Sequence, residues 1–301
     1  MHILDLSSCR LCPRRCGVNR LQGRKGWCGA GIRPKVALVS LHPWEEPCIA
    51  GDRGAGTVFF SHCNLGCVFC QNYEISHEGQ GEEISEERLA QVFLEQQARG
   101  ASTLDLVTPV HYAPQILAAL DQAKQQGFSL PVVWNSSGYE SAELIEALKG
   151  YVDVFLPDLK YRETASAERY SHAADYFSAA AAAIQKMVEL AGPPVFDEDG
   201  LMRRGVLVRH LVLPGHRKES MQLLDWLWDS FGDRVWLSLM NQFTPMHHTA
   251  EYPEINRRLT SFEYDSVVNH ALDIGITQCY MQEGKTASVK FVPDFDGSGV
   301  K

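Results

Sequence analysis

The chain has 301 residues, 45% hydrophobic and 22% charged, an ordinary globular composition with enough material for a substantial core. Its net charge of −9 argues against general nucleic-acid binding, and no apolar run reaches membrane-spanning length. The opening Met-His-Ile-Leu-Asp lacks the basic start and apolar core of a signal peptide, so the expected location is the cytoplasm. In a reducing compartment nine cysteines, most of them in two short clusters, read as metal ligands and not as disulfides.

The first cluster comprises Cys9, Cys12, Cys16 and Cys28. Four thiolates this close can complete a site without outside ligands, which fits a structural zinc and, by the same count, a second iron–sulfur cluster. Gly17 and Gly29, each directly after a cysteine, let backbone N–H groups turn toward sulfur. Residues 1–35 carry eight Arg or Lys against Asp5 alone, a basic surface expected to pack on the acidic remainder of the chain. A Cys-rich extension is therefore assigned to residues 1–50. Within it 34–40 reads as a strand, and Glu45 and Glu46 fall just ahead of the next one, facing either a site mouth or solvent.

The second cluster lies in Thr57-Val-Phe-Phe-Ser-His-Cys-Asn-Leu-Gly-Cys-Val-Phe-Cys-Gln-Asn-Tyr73. Val58, Phe59 and Phe60 predict a buried strand, so Cys63, Cys67 and Cys70 fall on the loop leaving it. Three thiolates at this spacing suit a four-iron cluster with one iron left open. A zinc site completed by His62 or His77 is the bland alternative. Phe69, just before the last thiol, offers a flat apolar surface to a ring.

Beyond the loop strands and helices alternate. Ser85 caps a helix ending near Gly100; strands are expected at 103–107, 131–134, 152–156, 206–213, 235–240 and 276–281. Helices fall at 114–126, 142–149, 175–190, 218–228 and 262–272, and Asp199-Gly200 centres a small hairpin at 194–202. Alternation of this kind implies a parallel sheet with right-handed crossovers. Six or seven units are too few to close an eight-fold barrel, so the fold class is α/β, a partial (β/α)6 TIM-like barrel over 51–290 with 291–301 as a flexible tail. Active sites of such sheets lie at the carboxyl ends of the strands.

The three-cysteine loop resembles that of the radical S-adenosylmethionine (SAM) enzymes, which use C-x3-C-x-aromatic-C. Cys70-Gln-Asn72 is similar to the cysteine-x-asparagine of pyruvate formate-lyase activating enzymes, and the chain up to its tail resembles the PflX-like branch of that group. The resemblance implies the partial-barrel fold, and an enzyme whose [4Fe-4S] cluster on Cys63, Cys67 and Cys70 reductively cleaves SAM to a 5′-deoxyadenosyl radical. It implies hydrogen abstraction from a partner protein and a flavodoxin- or ferredoxin-type electron donor. Alternatives are radical modification of a small molecule or peptide, or a non-catalytic iron–sulfur or zinc interaction module.

The residues after each strand are then the candidates to contact SAM, beside Phe69 and Asn72. Relatives place a Gly-Gly-Glu where this chain has Thr108-Pro-Val-His111-Tyr112; the Thr108 hydroxyl and nearby carbonyls are expected to take over the SAM amino group, with His111 at the site or structural. Asn135-Ser136-Ser-Gly resembles the Asp-Thr-Asn-Gly of the activating enzymes, Asp158-Leu-Lys160 their Asp-Leu-Lys, and Val208-Arg209-His210 their Ile-Arg-Tyr, while Gln242 falls where relatives keep a histidine. In those enzymes carboxylates at the positions of Asn135 and Asp158 help to hold a monovalent cation. With a neutral Asn135, Lys160 is expected to balance the SAM carboxylate alone.

Overall fold

The computed structural model describes residues 3–282 and 293–301. Ten strands form its sheet: β1 (Lys35–His42), β2 (Ala55–Phe60), β3 (Glu82–Glu83), β4 (Leu104–Val107), β5 (Val132–Ser136), β6 (Val154–Pro157), β7 (Val195–Phe196), β8 (Met202–Leu211), β9 (Trp236–Met240) and β10 (Cys279–Met281). The order is β10-β9-β8-β6-β5-β4-β2-β1-β3, with β7 hairpinned onto β8. Every pairing from β2 to β10 along this path is parallel; β1 is antiparallel to both β2 and β3. β3 and β10 do not pair among the described residues, so the barrel is open there.

The central strands Ala55–Phe60, Leu104–Val107, Val132–Ser136 and Val154–Pro157 are buried throughout, as strands covered on both sides must be. Thr57, Asn135 and Ser136 interrupt their apolar runs, and Asp105 is a fully buried acid within β4. The helices begin where polar caps stop the chain: Ser85 Oγ accepts from Arg88 N ahead of Glu86–Ala98, and Thr260 with Glu263 closes a capping box on Ser261–Asp273. The hairpin expected at 194–202 is present, and β8 begins within it, four residues before the predicted strand start. The helix Thr164–Ser171 was not legible, since its composition is polar and only one of its faces is buried.

The tail corrects an expectation. Residues 293–301 are docked along β1: Gly297 N donates to Ala37 O (3.0 Å) and Val39 N to Ser298 O (3.0 Å). Val300 is fully buried and Phe295 meets Phe59 edge-on at 5.5 Å. β3 covers only the first two residues of β1, which leaves backbone groups on that edge for the tail to satisfy. Gly299, at φ +72°, passes so close to the Val39 carbonyl that a Cβ there would clash.

Candidate active site

β2 delivers the chain into the three-cysteine loop. The turn starts at His62, whose φ is +74° and whose N–H donates to Ile75 O (2.7 Å). Val68 N donates to Tyr170 O (2.9 Å), pinning the loop to the helix Thr164–Ser171. Each thiol sulfur accepts one hydrogen bond: Cys63 from Leu65 N (3.4 Å), Cys67 from Ser171 Oγ (2.9 Å) and Cys70 from Ser76 Oγ (3.2 Å). Burial pushes all three thiols up, Cys70 to about 11, so the free loop is neutral and binding of a metal centre would release protons.

All three cysteines line one cavity of about 460 Å³ at the carboxyl ends of the strands. Phe69, Asn72, Thr108, Asn135, Ser136, Asp158, Lys160, Arg209 and Gln242 line it too. His111 does not, and here the sequence reading is corrected. Its ring is buried behind the loop, donating from Nε2 to Ser61 O (2.8 Å) and packing on Tyr112, next to the N-terminal thiols. Burial drives its pKa to about 3, so it stays neutral. His62 and His77 lie outside the cavity as well; His77 stacks flat on Tyr73 at 4.4 Å. Three soft thiol donors lining one open cavity suit an iron–sulfur cluster that keeps one position free.

A charged floor faces the thiols. Asp158 follows β6 and accepts from Lys160 Nζ (2.6 Å) and from Arg209 Nε (3.0 Å). Arg209 also reaches Glu45 (3.4 Å) and Asn135 Oδ1 (2.5 Å), and Asn135 Nδ2 donates to Asp105 Oδ2 (3.3 Å). Burial alone would raise Asp158, but Lys160 and Arg209 outweigh it and hold the carboxylate ionised. Burial likewise opposes the charge on Lys160, and Asp158 outweighs it, so the ammonium persists. Burial raises Asp105 far above the carboxylate range with Glu45 adding to it, and lifts Glu46 to about 7. The floor is thus a guanidinium and an ammonium set among four acids, two of which are inclined to keep their protons.

Lys160 is shared with Asp158, and Arg209 lies among Asp158, Glu45 and Asn135. Asp105 and Glu46 were not singled out as site residues, although an acid inside the apolar run Leu-Asp-Leu-Val was a signal for the former.

Other wall residues are held by local chemistry. Thr108 ends β4 at φ +58°, rare for a β-branched residue, with its N–H on Asn135 O (2.8 Å). Ser136 bonds Glu140, whose other oxygen accepts from Trp134 Nε1 (2.8 Å); burial raises Glu140 to about 7. Gly138, at φ +74°, lies against the Asp158 carbonyl, and Tyr176 Oη bonds the carbonyls of Ser137 (2.9 Å) and Asp158 (2.8 Å). Phe69 meets Phe243 edge-on at 5.7 Å, while Gln242 pairs with Gln282 (3.2 Å).

A family model described as the radical SAM superfamily matches residues 57–227. An uncharacterised protein of Methanocaldococcus jannaschii, MJ0674, is 32% identical over 273 residues, covering 88% of this chain and 74% of that protein. Among solved structures, Streptococcus suis SuiB bound to the precursor peptide SuiA aligns at 9% identity with a TM-score of 0.48, over 74% of this chain and 47% of that one. SuiB bound to S-adenosylmethionine aligns at 11% identity with a TM-score of 0.48, over 74% and 48%. The chain spans about half the length of these solved structures.

Proposed function

Because the chain belongs to the radical SAM superfamily, we propose that its cavity holds a [4Fe-4S] cluster on Cys63, Cys67 and Cys70, with SAM between that loop and the charged floor. When bound, this pair supplies the chemistry of reductive SAM cleavage and radical hydrogen abstraction. The single observation that carries the reading is that three thiols and the Asp158–Lys160–Arg209 array open on one cavity at the strand ends.

The protein's own part is positioning. Lys160 keeps its charge beside Cys67 and Asp158, where it meets the carboxylate of a zwitterionic amino acid. The Thr108 hydroxyl, presented by a left-handed turn, accepts from the amino group. Phe69 gives an apolar wall to the adenine, and Asn72, at the start of the short helix Tyr73–Ser76, fixes the far end of the loop. Ser136 contributes through Glu140 and the backbone it orders.

The Asp158-Leu-Lys160 and Arg209 … Leu213-Pro-Gly215 segments, similar to those of the pyruvate formate-lyase activating enzymes, support hydrogen abstraction from a partner protein, with a flavodoxin- or ferredoxin-type donor. The test is anaerobic turnover: reduced protein with SAM is expected to yield methionine and 5′-deoxyadenosine, and Cys67→Ala to yield neither. Turnover retained in Cys67→Ala would overturn the assignment. A wild-type protein that never cleaves SAM would instead mark an interaction module.

A further inference from the structure

Cys9, Cys12, Cys16 and Cys28 line a second, small cavity behind the catalytic loop, together with Arg20 and His111. Peptide N–H groups are turned toward three of these sulfurs, from Arg14 to Cys12, from Trp27 to Cys16 (3.4 Å) and from Ala30 to Cys28. Such donors stabilise thiolate and not thiol.

An independent observation comes from Arg20. Its side chain is 1% exposed, and it bonds only carbonyl oxygens, those of Gly31 (Nε, 3.0 Å) and His111 (Nη1, 2.6 Å). No carboxylate pairs with it among the described residues, while Cys28 lies close enough to feel its charge. A buried guanidinium without a counter-charge costs several kcal/mol. No Asp or Glu lines that cavity, so thiolates bound to a metal centre are its one source of negative charge among the described residues.

A closed four-thiolate centre, one zinc or one [4Fe-4S] cluster, carries net negative charge that no other group lining this cavity can supply. We propose that Cys9, Cys12, Cys16 and Cys28 bind such a centre and that its charge compensates buried Arg20.

Its place in the fold gives it a structural consequence. Arg14, between Cys12 and Cys16, donates to Asn64 O (3.1 Å), His172 O (2.5 Å) and Ser171 O (3.3 Å). Asn64 adjoins Cys63, and Ser171 Oγ is the donor to Cys67. Ordering the N-terminal thiols therefore fastens the catalytic loop from behind.

The experiment counts the two sites separately, so it is independent of the catalytic reading. Full-length protein carrying Cys63→Ala, Cys67→Ala and Cys70→Ala, offered zinc in one arm and iron with sulfide under anaerobic conditions in the other, is expected to retain one centre per chain, about one zinc or about four irons with four sulfides. Adding Cys9→Ala and Cys28→Ala is expected to remove it. Arg20→Met should speed loss of that metal to a chelator several-fold, and Arg20→Lys should restore retention. No retained metal in the triple variant overturns the proposal; unchanged retention in Arg20→Met overturns the charge compensation.

Discussion

Arg209 binds Asp158 and Asn135, the two positions at which the resemblance to the activating enzymes implies a monovalent-cation site, and replacing it with Met should turn a cation-independent site into a cation-dependent one. The guanidinium lies 3.0 Å from Asp158, 3.4 Å from Glu45 and 2.5 Å from Asn135 Oδ1. Its side chain is 16% exposed, so solvent screens these contacts weakly. Breaking a buried ion pair by removing one partner costs about 3–5 kcal/mol. Lys160, 2.6 Å from Asp158, still compensates that carboxylate, so the lower end applies, about 3 kcal/mol. At about 2–4 °C per kcal/mol for a domain of this order of size, the melting midpoint should fall by about 6–12 °C.

Part of the loss is recoverable in two ways. Arg209 lowers the pKa of Glu46 and of Asp105, so without it both hold their protons to higher pH and the deficit should be smaller at pH 6.5 than at pH 8. A bare Na⁺ or K⁺ can also enter the vacated ring. Melting and SAM cleavage would be followed at matched ionic strength in Na⁺, K⁺ and N-methylglucamine. Wild type should be indifferent to the cation; Arg209→Met should be partly rescued by one of the two metal ions and not by the organic one. Asn135→Asp should acquire a cation dependence too, because it sets a carboxylate beside Asp105. Strong activation of the wild type by one monovalent cation would refute the reasoning.

Two further expectations concern the walls. Glu140, raised to about 7 from 4.5 for a free glutamate, keeps its proton in the fold where the unfolded chain has lost it. That contribution is complete below pH 4.5 and disappears as pH rises through about 7, a span worth about 3 kcal/mol at about 1.4 kcal/mol per pH unit. Glu140→Gln should accordingly gain about that much on wild type between pH 5 and pH 8 in urea midpoints, and a pH-independent difference would contradict it. Gly138→Ala places a methyl group on the Asp158 carbonyl at a positive φ; about 2–5 kcal/mol of destabilisation is expected, with weakened SAM binding by calorimetry and unchanged iron content.

The cysteine loop and the strand–helix alternation were legible because each rests on local pattern: thiol spacing in one case, apolar runs with polar caps in the other. Asp158 and Lys160 stand out in the sequence because they follow a strand and resemble the Asp-Leu-Lys of the activating enzymes, and Arg209, inside β8, stands out by resemblance alone. What stayed hidden depends on long-range packing. Thr108 follows β4 directly and His111 comes three residues later; the turn at Thr108 sends the chain behind the loop, and of the two only Thr108 lines the cavity. The tail reads as polar and glycine-rich, and nothing local says that the edge of β1 is open to receive it. Glu45 and Glu46, far from Arg209 in sequence, become its partners only when β1 and β2 fold against the rest of the sheet.

The same logic explains why the charged floor is built as it is. A cavity that must accept a zwitterion cannot carry a large net charge of either sign, because each unpaired group there would be desolvated. Asp158 and Glu45 neutralise Lys160 and Arg209, while Asp105 and Glu46, with buried oxygens that lack partners among the described residues, tend to remain protonated. Burial keeps them neutral, and the guanidinium between them works the other way, lowering both pKa values. Asn135 fits this balance: an aspartate there would set a second carboxyl group against Asp105 along the existing 3.3 Å hydrogen bond, and the two could not both ionise. The amide meets both neighbours, accepting from Arg209 and donating to Asp105, and adds no charge of its own.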